Sequence, residues 1–538
     1  ADATNAGAVA ALRRRKHRDD KPFAVMVPDV VAARSLVHLD DAAEAALTSP
    51  MRPIVLAPRV DGGAVSPDVA PGLPELGLML PYTPLHHLLL RRLGRPLVLT
   101  SGNLSDEPIA HADDDARSRL RPLVDGWLTH DRPIHIRCDD SVVRASPTGV
   151  QLLRRSRGYA PEPIRLPFTG SAPVLAVGAE LKNTVSVTKG DTVITSHHIG
   201  DLEHLAAYQA FLQATEHLCR LHGIRPEMVA HDLHPEYLST KFAAELDLPA
   251  IGVQHHHAHV VSCLVDHGRT GPVLGVAFDG HGYGPDGTLW GGELLVADLD
   301  GFERAGHLRA VPLPGGTAAI REPWRMAVTW ARHAAGEAAA HAVGARLDDR
   351  ADALLAMLAG PPPLVTTSVG RLFDAAAALI TGRARVSYEG QAAIELEALA
   401  AAVPVGEAEP ITIELARVGD QLVLDPAPLI ARLLEPGAPA RAAATFHESI
   451  GAATVEAATV LARGRGLATV VLTGGVFQNQ RLTRIVATGL AAAGLEVLTH
   501  RSIPPNDGGI SIGQAAVAAH RAAPPVIHSS VSPATSSG

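Results

Sequence analysis

The chain has 538 residues, 46 % hydrophobic and 19 % charged, so two to four domains with packed cores are expected. A net charge of −9 argues against a general nucleic-acid binder. The three cysteines, Cys138, Cys219 and Cys263, form no CxxC pair, which excludes a thiolate zinc finger in this sequence and fits a reducing cytoplasm.

No signal peptide is visible, and the longest uncharged run, about residues 354–370, is broken by Pro361, Pro362 and Pro363, so no membrane partner is expected. A start at Ala1 rather than Met reads as a fragment or a processed chain. There are five lysines against 42 arginines, and Lys16, Lys21, Lys182 and Lys189 all fall in the segments below.

In chain order, RRRKHRDDK (13–21) precedes the apolar run FAVMV (23–27). Alone it reads as a solvated helix end or a basic patch, and Asp19 and Asp20 weaken the second option. FAVMV, PIVLAP (53–58) and PLVLT (96–100) alternate with helical stretches, an α/β pattern. TSGNLSDEP (100–108) offers hydroxyls and an amide after a strand, suited to phosphate or carboxylate, or to an ordinary turn. A Pro-rich boundary is expected near 160–173.

Beyond it, VLAVG (174–178) leads into a hairpin around Lys189-Gly190-Asp191, and VLGVAFDG (273–280) leads into a second, Gly-rich hairpin. TVVLTGGVFQNQRL (469–482) reads as strand, Gly turn, helix. Residues 400–445 are Ala/Pro-rich and read as a connecting region. Gly turns after strands suit nucleotides, because bare backbone N–H groups approach phosphate oxygens closely. The two similar units point to the duplicated fold of the actin/hexokinase/Hsp70 (ASKHA) superfamily.

QHHHAH (254–259) opens an amphipathic helix carrying Val260, Val261, Leu264 and Val265 before Gly268. His255 and His259 stand four apart and share a face, so they can hold one metal ion, or can cap the helix. No Glu follows the first His, so an HExxH protease is excluded. His256 and His257 are left open between ligand, solvent and core. Asp279 ends an apolar strand at a Gly loop, and Asp507 lies in PPNDGG; both are candidate acidic ligands, or turn residues.

The second half resembles the universal tRNA threonylcarbamoyl transferases and, more closely, the carbamoyltransferase families of TobZ and HypF. The matching segments are VGAELKNT (177–184), QHHHAH, FDGHGYG (278–284), GRLFDAAAAL (370–379), YEGQAAIELE (388–397), TGGVFQNQRL (473–482) and PPNDGGISIGQ (504–514). The first half resembles the YrdC/Sua5 family through Lys16, Arg18, Lys21 and Pro22, through Thr100, Ser101, Asn103 and Ser105, and through CDDSVVR (138–144) and LRRSRGYAP (152–161). The YrdC-like part comes first, as in the HypF family and opposite to TobZ. The acylphosphatase and zinc-finger parts of that family are absent here, as is the first Gly-rich strand of the YrdC-like domain.

This resemblance implies an α/β protein: an N-terminally incomplete YrdC-like domain over 1–165, an ASKHA domain over 172–520 and a disordered tail over 521–538. It implies His255, His259, Asp279 and Asp507 as ligands of one divalent metal, iron or zinc. Lys16, Arg18 and Lys182 become the expected catalytic residues. Lys21, Thr100, Ser101, Asn103, Ser105, Ser141, Arg155, Gly178, Gly282, Asp374, Gly390, Gly475 and Asn479 become the expected nucleotide contacts. The implied activity is cytoplasmic: ATP, with Mg2+, and a carbamoyl group from carbamoyl phosphate form carbamoyl adenylate, and the carbamoyl group passes to the C-terminal Cys of HypE. The alternative acceptor is the hydroxyl of a small molecule such as an antibiotic. A nucleotide-sensing or RNA-binding module is disfavoured by the ligand set and the acidic charge.

Overall fold

The computed structural model describes residues 1–104, 107–146, 149–360 and 364–522, so Ser105 and the tail from 523 lie outside the described residues. The first domain is built on six strands: β1 (Ala24–Met26), β2 (Ile54–Pro58), β3 (Glu75–Met79), β4 (Leu97–Leu99), β5 (Val142–Ser146) and β6 (Gly149–Arg154). They run in the order β4-β1-β3-β2-β5-β6. Val25, Val55, Leu76, Leu78, Val143 and Leu152 form the core under this sheet, while Met26, Met79 and Leu97 pack in a smaller cluster on its other face. Helix α1 (Ala6–Lys16) starts at Asn5, whose Oδ1 accepts from the Ala8 amide, and ends at left-handed His17. That stop fixes where Lys16 leaves the helix.

The remainder holds two sheets. One contains β7 (Ile164–Arg165), β8 (Val174–Ala176), β9 (Ser186–Lys189), β10 (Thr192–Thr195), β11 (Met228–Asp232) and β12 (Ala250–Val253). The other contains β13 (Val273–Tyr283), β14 (Leu289–Ala297), β15 (Phe302–Leu308), the short β16 (Val311–Pro312) and β17 (Val365–Thr366), β18 (Glu414–Val418), β19 (Gln421–Asp425), β20 (Thr469–Thr473) and β21 (Glu496–Thr499). Their central orders are β12-β11-β8-β9-β10 and β21-β20-β13-β14-β15. In each, three antiparallel strands are followed by two parallel ones, so the second sheet repeats the topology of the first. This is the duplicated ASKHA arrangement expected from the Gly-turn units. The expected hairpins at 189–191 and after 280 are present, and the strand Ile164–Arg165, inside the Pro-rich boundary, pairs with β10 of the first of these sheets.

One expectation fails. Residues 400–445 are not merely a connection: β18 and β19 pair with each other, and β19 pairs with β15, extending the last sheet. Leu422 and Leu424 enter its core. ELARV is an edge strand with no fully buried residue, and QLVLD, between it and β15, is only a five-residue stretch, so the pair carries little apolar signal.

Five helices position the site: α2 (His255–Asp266), α3 (Val369–Thr381), α4 (Pro439–Gly464), α5 (Gln480–Ala492) and α6 (Ile510–Arg521). Helix α6 crosses α2 at Gly513, where a Cβ would run into the Ala258 carbonyl. The absence of a side chain there sets how closely the two helices approach.

Candidate functional site

The residues of QHHHAH are all buried. Gln254, not a histidine, caps α2: its Oε1 accepts from the His257 amide. His255 and His259 share the face turned to the strand ends, while His257 Nε2 lies 2.7 Å from the Asp298 carbonyl and His256 packs near Trp290, so these two are core residues.

The strand expected to end at Asp279 continues to Tyr283, and Asp279 reaches the same place from within β13, at the bulge between Phe278 and Gly282. Its Oδ1 accepts from the Gly280 and Gly475 amides at 2.7 and 3.2 Å, which leaves Oδ2 facing the rings, 2.8 Å from His259 Nε2 and 3.6 Å from His255 Nε2. Asp507 arrives from the turn before α6, with Oδ1 3.7 and 3.8 Å from the same two nitrogens. One donor atom from each of His255, His259, Asp279 and Asp507 lies within 4.8 Å of all the others. Four residues spread over more than 250 positions are thus assembled by the α2–α6 crossing.

The donor chemistry fits a borderline divalent metal. Two imidazoles and two carboxylates converge, and His255 Nε2 is buried with no hydrogen-bond partner among the described residues. Burial, with Asp279 close by, pushes the Asp507 carboxyl up to about 7. His255 Nδ1 lies 2.8 Å from Asp232 Oδ2, at the end of β11. Burial opposes a charge on His255, yet Asp232 and Asp507 hold its pKa well above the usual value. With Nδ1–H donating to Asp232, a neutral His255 would turn its Nε2 lone pair to a metal among the other three residues. The sequence reading missed Asp232, although MVAHD (228–232) closes on an Asp as GVAFD (275–279) does.

The remaining expected residues divide. Gly475 backs Asp279, and Gly282 lies against the His255 ring, where a Cβ would be 2.8 Å from Cγ. Lys182 pairs with Glu389 across the cleft between the two sheets; burial works against its charge, but Glu389, Asp507 and Asp201 hold its pKa above the usual range. Asp374 forms an ion pair with Arg371 at 2.9 Å, and burial pushes its carboxyl up to about 6. Gly390, with φ 74°, precedes a helix and has open space around it. Gly178 turns the chain after β8 with φ 72°, and its amide donates to Gln514. Asn479 caps α5 through Oδ1, and its Nδ2 lies 2.9 Å from His447 Nε2 on α4, so both polar ends serve the fold.

In the first domain, Lys16 is 3 % exposed, and its Nζ donates to the carbonyls of Ser101 and Asn103 and to Asn103 Oδ1. Burial brings its pKa down to about 8. Lys16, Ser101 and Asn103 are therefore gathered, next to Thr100. Arg18 donates to the Lys21 carbonyl at 3.0 Å and lies over the Phe23 ring. Lys21 is exposed at the same motif. Ser141 is fully buried, donating to the Arg157 carbonyl and accepting from the Ser156 amide. Arg155 is buried and donates to the Glu162 carbonyl, and burial brings its pKa down to about 10.

The first domain meets the loops beside the candidate metal site directly. Asn506, beside Asp507, donates to the Leu153 carbonyl of β6 at 2.9 Å. Gln151 donates to the Phe477 carbonyl, and Arg144 bridges Glu75, Glu397 and the Gln478 carbonyl. Asp20 accepts from Ser387 and Gln391 of the YEGQ loop.

Comparison with known proteins agrees with this layout. Residues 1–156 match the Sua5/YciO/YrdC model described as "Telomere recombination", 169–266 match the "HypF Kae1-like domain", and 275–514 match "Carbamoyltransferase, Kae1-like Domain, second subdomain". The chain is 43 % identical to carbamoyltransferase HypF2 of Cupriavidus necator, over 97 % of this chain and 70 % of the relative. It is 45 % identical to carbamoyltransferase HypF of Rhizobium leguminosarum bv. viciae, over 96 % and 68 %. A crystal structure of full-length HypF in the phosphate- and nucleotide-bound form superposes with a TM-score of 0.92 at 40 % identity, over 97 % of this chain and 69 % of that one. HypF from T. kodakarensis gives 0.89 at 31 %, over 96 % and 70 %. The chain belongs to the HypF family of carbamoyltransferases.

Proposed function

We propose that this protein forms carbamoyl adenylate and transfers its carbamoyl group to the C-terminal cysteine thiol of HypE, the step that prepares the cyanide ligands of nickel–iron hydrogenase. The observation that carries this reading is the convergence of His255, His259, Asp279 and Asp507, directly beneath an adenylation-type domain.

In the first domain, Lys16, Arg18, Lys21 and Arg155 face the triphosphate of ATP, taken with Mg2+, and offset the charge that builds as pyrophosphate leaves. Lys16 also fixes the Ser101–Asn103 loop, so one cation both shapes and charges the site. The carbamoyl oxygen, from carbamate derived from carbamoyl phosphate, attacks the α-phosphorus; the bond to pyrophosphate breaks and carbamoyl adenylate forms. That mixed anhydride hydrolyses readily, so transfer within the protein is favoured over release. The contact between β6 and Asn506 supports a short internal route. So does the cluster of Lys21, Arg154 and Lys182 around His198, which burial and these cations keep neutral.

In the transferase cleft, Asp232 orients His255, and the Gly280 and Gly475 amides orient Asp279. A bound iron or zinc ion, held by the four ligands, would supply charge stabilisation at the adenylate oxygens. Lys182 adds a positive charge above Asp507, steadied by Glu389. The acceptor thiol gives up its proton, the sulfur pair forms the S–C bond, and the C–O bond to phosphate breaks with its electrons leaving on AMP. A thiol acceptor places the reaction in the cytoplasm, where cysteines stay reduced.

The test bypasses the first domain. Carbamoyl adenylate is supplied with HypE, and the mass of the HypE C-terminal peptide is measured. A carbamoyl adduct on the cysteine that disappears on chelation is the expected result. An unmodified cysteine, with metal bound and HypE associated, would overturn the acceptor assignment in favour of a small-molecule hydroxyl.

A further inference from the structure

Arg371 carries chemistry that the steps above leave unused. It lies in the first turn of α3, which is fastened to the metal-ligand turn. The α3 cap, Ser368, accepts from the Arg371 amide, and its Oγ lies 2.6 and 2.7 Å from the carbonyls of Asp279 and Gly280. Gly370 presses on Gly280 so closely that a Cβ would sit 2.8 Å from the Gly280 Cα. The Arg371 side chain therefore stands beside the residue that offers Asp279 to the metal, close enough to His281 to act on its charge.

Arg371 is only 5 % exposed. One arm, Nη2, pairs with Asp374. Its Nε and Nη1 are buried with no hydrogen-bond partner among the described residues. Buried N–H groups without acceptors are costly, and a buried guanidinium is suited to donate to an anion. On the adenylate reading, the carbamoyl group and the adenosine are neutral. The phosphate alone carries charge, and it gains a second negative charge as AMP departs.

We propose that Arg371 binds the phosphate of the adenylate beside the metal centre, Nη1 donating to a phosphate oxygen, and that it stabilises AMP as leaving group. This rests on the adenylate reading above and assigns the phosphate subsite of that same cleft.

The test is calorimetric titration of the full chain with AMP and, separately, with adenosine, in wild type, Arg371→Met and Arg371→Lys, with bound metal measured in each. Wild type is expected to bind AMP at least tenfold more tightly than adenosine. Arg371→Met should lose that margin while adenosine affinity and metal content hold. Arg371→Lys keeps the charge and can keep the Asp374 pairing but lacks the further N–H donor aimed at the phosphate, so it should lose several-fold on AMP alone; it also carries the test if the Met variant does not fold. Unchanged AMP affinity in the folded variants would overturn the Arg371 assignment and leave the adenylate reading standing. Equal binding of AMP and adenosine by wild type would overturn it as well. A wild type that binds neither would remove both.

Discussion

The two ASKHA sheets share a topology but use the matching strands β8 and β13 differently. After β8, Gly178 and its neighbours are closed inward: Asn183 Nδ2 donates to the carbonyls of Val177 and Ala179, and Gln514 of α6 accepts from the Gly178 amide. Within β13, at the bulge after Phe278, Gly280 and, from the turn after β20, Gly475 hold one oxygen of Asp279 so that the other faces His259. The turn after β8 braces the helix that follows Asp507; the bulge in β13 offers a ligand. A duplicated scaffold therefore need not duplicate its chemistry. The corresponding stretch of strand can spend its polar groups on the fold or leave one carboxylate oxygen facing a pair of histidines.

The largest expected effect comes from breaking the ligand side. His259→Ala should abolish metal binding and carbamoyl transfer, read as metal content per chain after desalting. Stoichiometric metal in that variant would sink the ligand assignment. On the bracing side, Gly513→Ala places a methyl against the Ala258 carbonyl and should cost about 3 kcal/mol in urea unfolding, with weaker metal binding because Asp507 moves with α6. A variant as stable as wild type would show that the crossing is looser than described.

Asp232→Asn sharpens the comparison, because Asp232 ends a bracing-sheet strand yet serves the ligand His255. It should weaken metal affinity about 10–100-fold while the far-ultraviolet dichroism is retained. Unchanged affinity would reduce Asp232 to a fold residue.

The smallest effect is in pH. His500, 3 % exposed, has its pKa brought down to about 3 by burial, and its Nε2 lies 2.7 Å from Thr473, which in turn donates to the His259 carbonyl. The unfolded chain takes up this proton below about pH 6.5 and the folded chain does not, so stability should fall as pH drops from 6.5 towards 3. His500→Gln should flatten that slope by up to about 1.4 kcal/mol per pH unit, measured by urea melts at pH 7 and pH 5. Parallel slopes would remove His500 from the account.

Much of this site was legible in the primary structure for local reasons. His255 and His259 fall on one face because helical side chains repeat every 3.6 residues, and Asp279 announces itself as an acid closing an apolar run. Other residues were silent because their roles are long-range. Asp232 looked like any strand-end acid until α2 packed over it. Arg371 read as one more arginine among 42 until its helix docked on Gly280. Ser141 and Asn479, expected at nucleotide, also make backbone and cap hydrogen bonds that no spacing rule reveals.

The sequence by itself determined the two-part α/β organisation, the repeated strand–Gly-turn units and the histidine pair, since these depend on periodicity and on turn chemistry within about ten residues. Only the tertiary structure decided that Asp507 meets His255, that β18 and β19 extend a sheet, and that Gln254 rather than a histidine caps α2. These outcomes depend on which distant surfaces bury one another, and the close crossing of α2 and α6 at Gly513 is the contact that makes four separate residues into one site.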